Sequence, residues 1–235
     1  RDVRVCNCFF DAADDAICFK SHNENCICED IEVSDCVARS SANAIKFGTV
    51  SAGGFRNARI HDIRIYDTYR SAVTFAAVDG GVVENIEVSN IRATNTGNAI
   101  YLRTAKRNKD DRIGTMRNIT FKNIYVEVSA TKADAGYRYE GPIEDLPRNI
   151  SPASIVGSTH SDIRDITLQN VEIHYPGGGD PKYAYRGTSD KELSSIPEML
   201  TAYPEFSQFK ELPAWGFYIR HARNIIFDKV SLYIE

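Results

Sequence analysis

The sequence predicts an all-β fold, a single-stranded parallel β-helix of about seven turns, from three observations. A seven-residue phrase recurs along the chain, each copy alternates apolar and other residues, and a second alternating run follows most copies. The phrase reads Asn or Asp, apolar, any, apolar, any, usually Asn or Asp, apolar. It starts at Asp2, Asp30, Asn57, Asn85, Asn118, Asp165 and Asn224, so successive starts lie 28, 27, 28, 33, 47 and 59 residues apart. A fixed period of this size marks a solenoid, in which each repeat buries its apolar face only against its neighbours.

Period-two alternation makes each copy a strand with one buried face. Inward positions include Val33, Ile60, Val88, Phe121, Leu168 and Phe227. The second runs begin at Asp15, Asn43, Ser71 and Asn98, with looser copies at 154–159 and 215–221. Their inward residues are the pairs Ile17 and Phe19, Ile45 and Phe47, Val73 and Phe75, and Ile100 and Leu102. No stretch between them has helical spacing, and the Leu-x-x-Leu-x-Leu frame of a leucine-rich repeat is missing. The recurrent Asn and Asp suit bends between strands and, stacked on one another, side-chain ladders.

The 235 residues suit one domain, 1–235, with inserted loops at 129–152 and 176–214. A net charge of -4 gives no reason to expect nucleic acid, and no apolar run reaches the roughly 18 residues of a membrane span. A monomer is expected. Arg1 opens directly onto a strand, so further turns are expected before it. All six cysteines fall within the first 36 residues. Buried thiols lead a disulfide and a metal site as readings, because neither Cys-x-Cys pair has zinc-knuckle spacing.

Stacking turns outward side chains into columns. Asp15, Asn43, Ser71 and Asn98 share one, Cys18, Lys46, Thr74 and Tyr101 another, and Lys20, Gly48, Ala76 and Arg103 a third. Amides, carboxylates, cations and an aromatic on one face describe either a groove for an acidic carbohydrate or an ordinary solvated face. Asn43, Lys46, Arg70, Asn98, Tyr101 and Arg103 are the candidate substrate-binding residues. Both insertions enter between a first and a second strand. They carry Tyr137, Tyr139, Tyr183, Tyr185, Tyr203, Arg138 and Arg186, which either wall the groove or cap the stack.

Asp14 and Asp15 sit at the bend entering a second strand, in Asp14-Asp15-Ala16-Ile17-Cys18-Phe19-Lys20-Ser21. Here the chain resembles glycoside hydrolase family 28, the polygalacturonases, whose signature is Gly-Asp-Asp-Cys-Ile-Ala-Ile-Lys-Ser. Ile45-Lys46-Phe47-Gly48-Thr49 is similar to the family's Ile-Ser-Ile-Gly-Ser, and the likeness extends through Gly80 to Ile86. Ala42-Asn43-Ala44 stands where the family has Gly-His-Gly, and Val73-Thr74-Phe75 where it has Arg-Ile-Lys. The family's Asn-Thr-Asp falls before Arg1.

The resemblance implies a right-handed β-helix, a secreted or periplasmic location, and no cofactor. It also implies inverting hydrolysis of α-linked galacturonic acid in an acidic polysaccharide or oligosaccharide, with attack from a chain end an open possibility. Asp14 then becomes the general acid and Asp15 a base helping to activate water, with the aspartate of the motif before Arg1 as its partner base. Inverting carboxyls sit about 6.5–9.5 Å apart, leaving room for that water. Two alternatives stay open. One is a non-catalytic carbohydrate-binding solenoid, and the other a pectate lyase with calcium on Asp11, Asp14 and Asp15.

Overall fold

A computed structural model describes residues 1–138, 146–147 and 150–235. Among the described residues twelve strands form one open sheet in which every strand pairing is parallel. The main path runs β1 (Val3–Cys6), β4 (Cys28–Ser40), β6 (Phe55–Ala77), β7 (Val82–Thr104), β8 (Thr115–Val128), β10 (Ile163–Tyr175) and β12 (Ala222–Ile234). Shorter strands flank it: β2 (Phe9–Ala12) on β4, and β3 (Ile17–Ser21) on β5 (Ile45–Ser51). β9 (Ala153–Val156) lies between β7 and β11 (Phe217–Arg220).

The register is the one the repeat dictates. Val33 pairs with Ile60, Ile60 with Val88, Val88 with Phe121, and Phe121 with Leu168. These side chains and the second-run residues Ile45, Phe47, Val73, Phe75, Ile100 and Leu102 form one continuous core. Phe47 and Phe75 meet edge to face at 4.9 Å. Phe227, expected inside, is 43% exposed, because β12 pairs with β10 on one side only. It packs edge-on against Phe217 instead.

From β4 onward the strands of the main path are longer than the seven-residue phrase, because bends do not end them. The first residue of all seven copies has φ between 53° and 58°, and the sixth, Asn7 through Lys229, has φ between 52° and 57°. Asp67 and Asn95, five residues further on, repeat the conformation. Asn and Asp enter this left-handed region more readily than other non-glycine residues. A residue there turns the chain while its neighbours keep their partners. Side chains at the bends stack: Asn118 Nδ2 donates to Asn85 Oδ1 at 2.7 Å, and Asn85 Nδ2 to Asn57 Oδ1 at 3.2 Å. Asn123, Asn90 and Asp62 form a second ladder at 3.0 Å per rung.

All six cysteines are free thiols. Cys36 is buried and Cys8 packs partly buried on the same core. Among the described residues no helix is long and apolar enough to cross a membrane.

Candidate active site

Asp14 and Asp15 lie in the bend between β2 and β3, and the bend gives them different surroundings. Asp14 is exposed, and its Oδ1 accepts the Asp15 N–H at 2.8 Å. Its backbone carbonyl accepts the Ser40 hydroxyl at 2.6 Å. The Asp15 side chain is only 4% exposed. Asn43 donates to Asp15 Oδ1 from its backbone N–H at 3.0 Å and from its side-chain amide at 2.8 Å. Lys46 Nζ stands 3.0 Å from Asp15 Oδ2.

Burial pushes the Asp15 carboxyl toward neutrality, but Lys46 and Asn43 outweigh it, so its pKa falls below the ordinary 3.8. Burial also lowers the Lys46 pKa, and Asp15, Tyr203 and Glu205 reverse that, so it rises above the ordinary value. The pair is a buried carboxylate and a buried ammonium. Cys18, whose Sγ is 3.8 Å from Asp15 Oδ2, is pushed up to about 11 by burial and by Asp15, so it stays a thiol.

The predicted columns exist. Lys46 pairs in register with Cys18 and Thr74, Tyr101 with Thr74, and Arg103 with Ala76. They do not face an open groove. Asn43, Lys46, Arg70, Asn98, Tyr101 and Arg103 are each at most 1% exposed. The insertion of residues 176–214 lies over them and meets most of them with a polar partner.

Tyr203 takes the first position. Lys46 Nζ donates to its hydroxyl at 2.8 Å, and Lys46 and Arg70 lie 5.0 Å and 5.6 Å from its ring centre. Glu205 takes the second. Its Oε2 is 3.1 Å from Arg70 Nε, while its Oε1 accepts the Phe206 N–H and caps the 3₁₀ turn Phe206–Phe209. Gln208 donates to the Tyr101 hydroxyl, and Arg103 donates to the carbonyls of Glu198 and Gly157. Asn98 is held by the carbonyls of Ser151 and Pro152, the last residues of the first insertion.

The first insertion also returns to the site. Ser41, next to Ser40, donates its hydroxyl to Asp134 and accepts the Tyr137 N–H at 3.1 Å. Tyr137 is 52% exposed. Tyr139 lies outside the described residues.

Glu198, Glu205 and Gln208 have no counterpart in the repeat. Nothing local in the sequence marks them: Glu205 and Gln208 meet Arg70 and Tyr101 more than a hundred residues away, and Glu198 gives its carbonyl to Arg103 and its carboxylate to Arg220 and His221. Among the histidines, His221 Nε2 is 2.9 Å from Glu198. Among the described residues no group of three or more His, Cys, Asp or Glu converges to hold a metal ion. Asp11 is turned to Arg39 at 3.4 Å, away from any such cluster. A cleft of about 580 Å³ lies beside the second insertion, lined by Leu193, Pro213, Phe217, Ile219, Arg220 and His221, and includes neither Asp14 nor Asp15.

Comparison with protein-family models returns no match, and neither does comparison with curated proteins.

Proposed function

We propose that the chain is a right-handed parallel β-helix belonging to a secreted or periplasmic glycoside hydrolase that cleaves α-linked galacturonic acid in pectin-type polysaccharide. Support for the β-helix comes from strands pairing in parallel at the interval of the repeat, with left-handed residues, Asn or Asp in all but Lys229, at the bends of the seven-residue phrase. The single observation that carries the activity is the division of labour within Asp14-Asp15. One carboxylate faces solvent at the bend, and its neighbour is fixed as an anion by Lys46 and Asn43.

Glycoside hydrolysis by inversion uses one carboxyl to protonate the leaving oxygen and another to activate water. Asp15 is unsuited to the first task, because its pKa is depressed. Held as an anion and only 4% exposed, it suits the electrostatic support of a positive transition state. Asp14, exposed and beside it, takes the donor role. Family resemblance gives Asp14 the same role and makes Asp15 a base for water.

A second reading has an observation of its own. The cations expected to grip an acidic sugar bind the protein's own insertion. In a non-catalytic carbohydrate-binding solenoid these cations fasten the insertion and take no part in a reaction. Asp14→Asn and Asp15→Asn separate the two readings. Under the hydrolase reading each lowers kcat on polygalacturonate at least a hundredfold, in line with the contribution of a general acid or base. Under the second, the parent has no turnover to lose.

A further inference from the structure

The three candidate cations Lys46, Arg70 and Arg103 are engaged inside the protein, so an acidic sugar at Asp14 must meet others. The first insertion supplies one, and the structure shows how it is held. The backbone of residues 133–138 is pinned to the sheet. Arg39 donates to the Ala135 carbonyl at 2.7 Å, Ser41 Oγ bonds to Asp134, and the Tyr137 N–H donates to Ser41 Oγ at 3.1 Å. Asp134 Oδ1 also accepts the N–H groups of Gly136 at 2.6 Å and Arg138 at 3.4 Å, closing a tight loop. Ala133 and Ala135 are buried, while Tyr137 and Arg138 face solvent.

The adjacent serines Ser40 and Ser41 therefore tie Asp14 and Tyr137 to one short length of backbone. A hexuronate residue offers an apolar C–H face and a carboxylate. An exposed tyrosine ring suits the face, and a guanidinium suits the carboxylate through paired hydrogen bonds. Fixing the backbone beforehand lowers the ordering cost of binding.

We propose that Tyr137 and Arg138 form a uronate-binding rim beside Asp14, with the tyrosine ring under the sugar and the guanidinium on its carboxylate. The proposal rests on the hydrolase reading for its substrate class. Both residues are positioning groups and take no part in proton transfer.

The test uses the full chain with de-esterified oligogalacturonate and its methyl ester. Tyr137→Ala raises KM about tenfold on both substrates, with kcat falling less than threefold, and Tyr137→Phe restores the parent KM. Arg138→Gln raises KM about tenfold on the acid form only, and Arg138→Lys recovers part of the loss. Unchanged KM in Tyr137→Ala and Arg138→Gln, with an active parent, overturns the rim and leaves the hydrolase reading standing. If the parent binds the oligomer without cleaving it, the hydrolase reading alone falls, and titrated Kd replaces KM as the readout for the same variants. A parent that neither binds nor cleaves overturns both.

Discussion

Lys46 Nζ stands 3.0 Å from Asp15 Oδ2, and the two side chains are only 1% and 4% exposed. This pair joins the bend that carries the carboxylates to the insertion that covers the sheet, because the same ammonium donates to Tyr203. Removing one member strands the other. Lys46→Met is expected to destabilise the fold by about 3–5 kcal/mol, the usual effect of leaving a buried charge uncompensated. The double variant Lys46→Met with Asp15→Asn recovers more than half of that. Urea denaturation of the three proteins checks it, and additive losses would contradict the pairing.

The same pair sets a response to acid. The folded Asp15 pKa lies below the ordinary 3.8, so its contribution is complete above 3.8 and disappears as pH falls through the folded value. Parent protein therefore loses stability more steeply between pH 5 and pH 2 than Asp15→Asn does. Denaturation midpoints across that range measure the difference; equal slopes would show that Asp15 is not held as an anion.

Glu205 and Arg70 make the second buried ion pair, at 3.1 Å with exposures of 2% and 0%. Glu205→Gln leaves the guanidinium without its carboxylate and loosens the insertion at its 3₁₀ turn. The expected outcome is a loss of about 3–5 kcal/mol and faster proteolytic cutting within residues 196–214. Cutting at the parent rate would mean that the insertion is fastened elsewhere.

His174 bridges two carboxylates, with Nε2 2.7 Å from Glu172 and Nδ1 2.6 Å from Glu235. Glu172 first and then Glu235 raise its pKa above the ordinary 6.5. A raised pKa stabilises fully below 6.5 and is lost as pH rises through the folded value. All three groups are partly solvated, so the effect is small. The parent's Tm should fall slightly more than that of His174→Asn as pH is raised from 6 upward, and parallel curves would contradict this.

The Asn ladders predict a backbone effect separate from side-chain bonding. Asn90 has φ 54°, donates to Asp62 and accepts from Asn123. Asn90→Ala keeps a Cβ in left-handed backbone but loses the short polar side chain that lets Asn tolerate it, and is expected to cost about 1–2 kcal/mol. Asn90→Gly keeps the conformation and loses only exposed hydrogen bonds, so its Tm lies above that of the alanine variant. The reverse order would refute the conformational account.

The sheet register was legible because alternation at period two and a repeat of 27 or 28 residues leave few other ways to bury Val33, Ile60 and Val88. The stacked column of Lys46, Thr74 and Tyr101 followed from the same repeat. The third bend, at Asp67 and Asn95, was also written in the sequence as an Asn or Asp every five residues. It divides β6 and β7 once more than the two alternating runs of the repeat indicate. What covers Lys46 was not legible. Tyr203 lies 157 residues away in an insertion outside the repeat, and no local pattern records a contact of that range. For the same reason a face that looked like a binding groove is a buried, charge-paired layer. The exposed carboxylate Asp14 could be placed from its bend alone.

Product analysis on de-esterified polygalacturonate, with calcium present and with calcium chelated, tests the hydrolytic assignment most directly. The account predicts saturated sugars with new reducing ends from the parent protein, and none from Asp14→Asn. Unsaturated products absorbing in the ultraviolet and dependent on calcium, or no products from the parent at all, would contradict it.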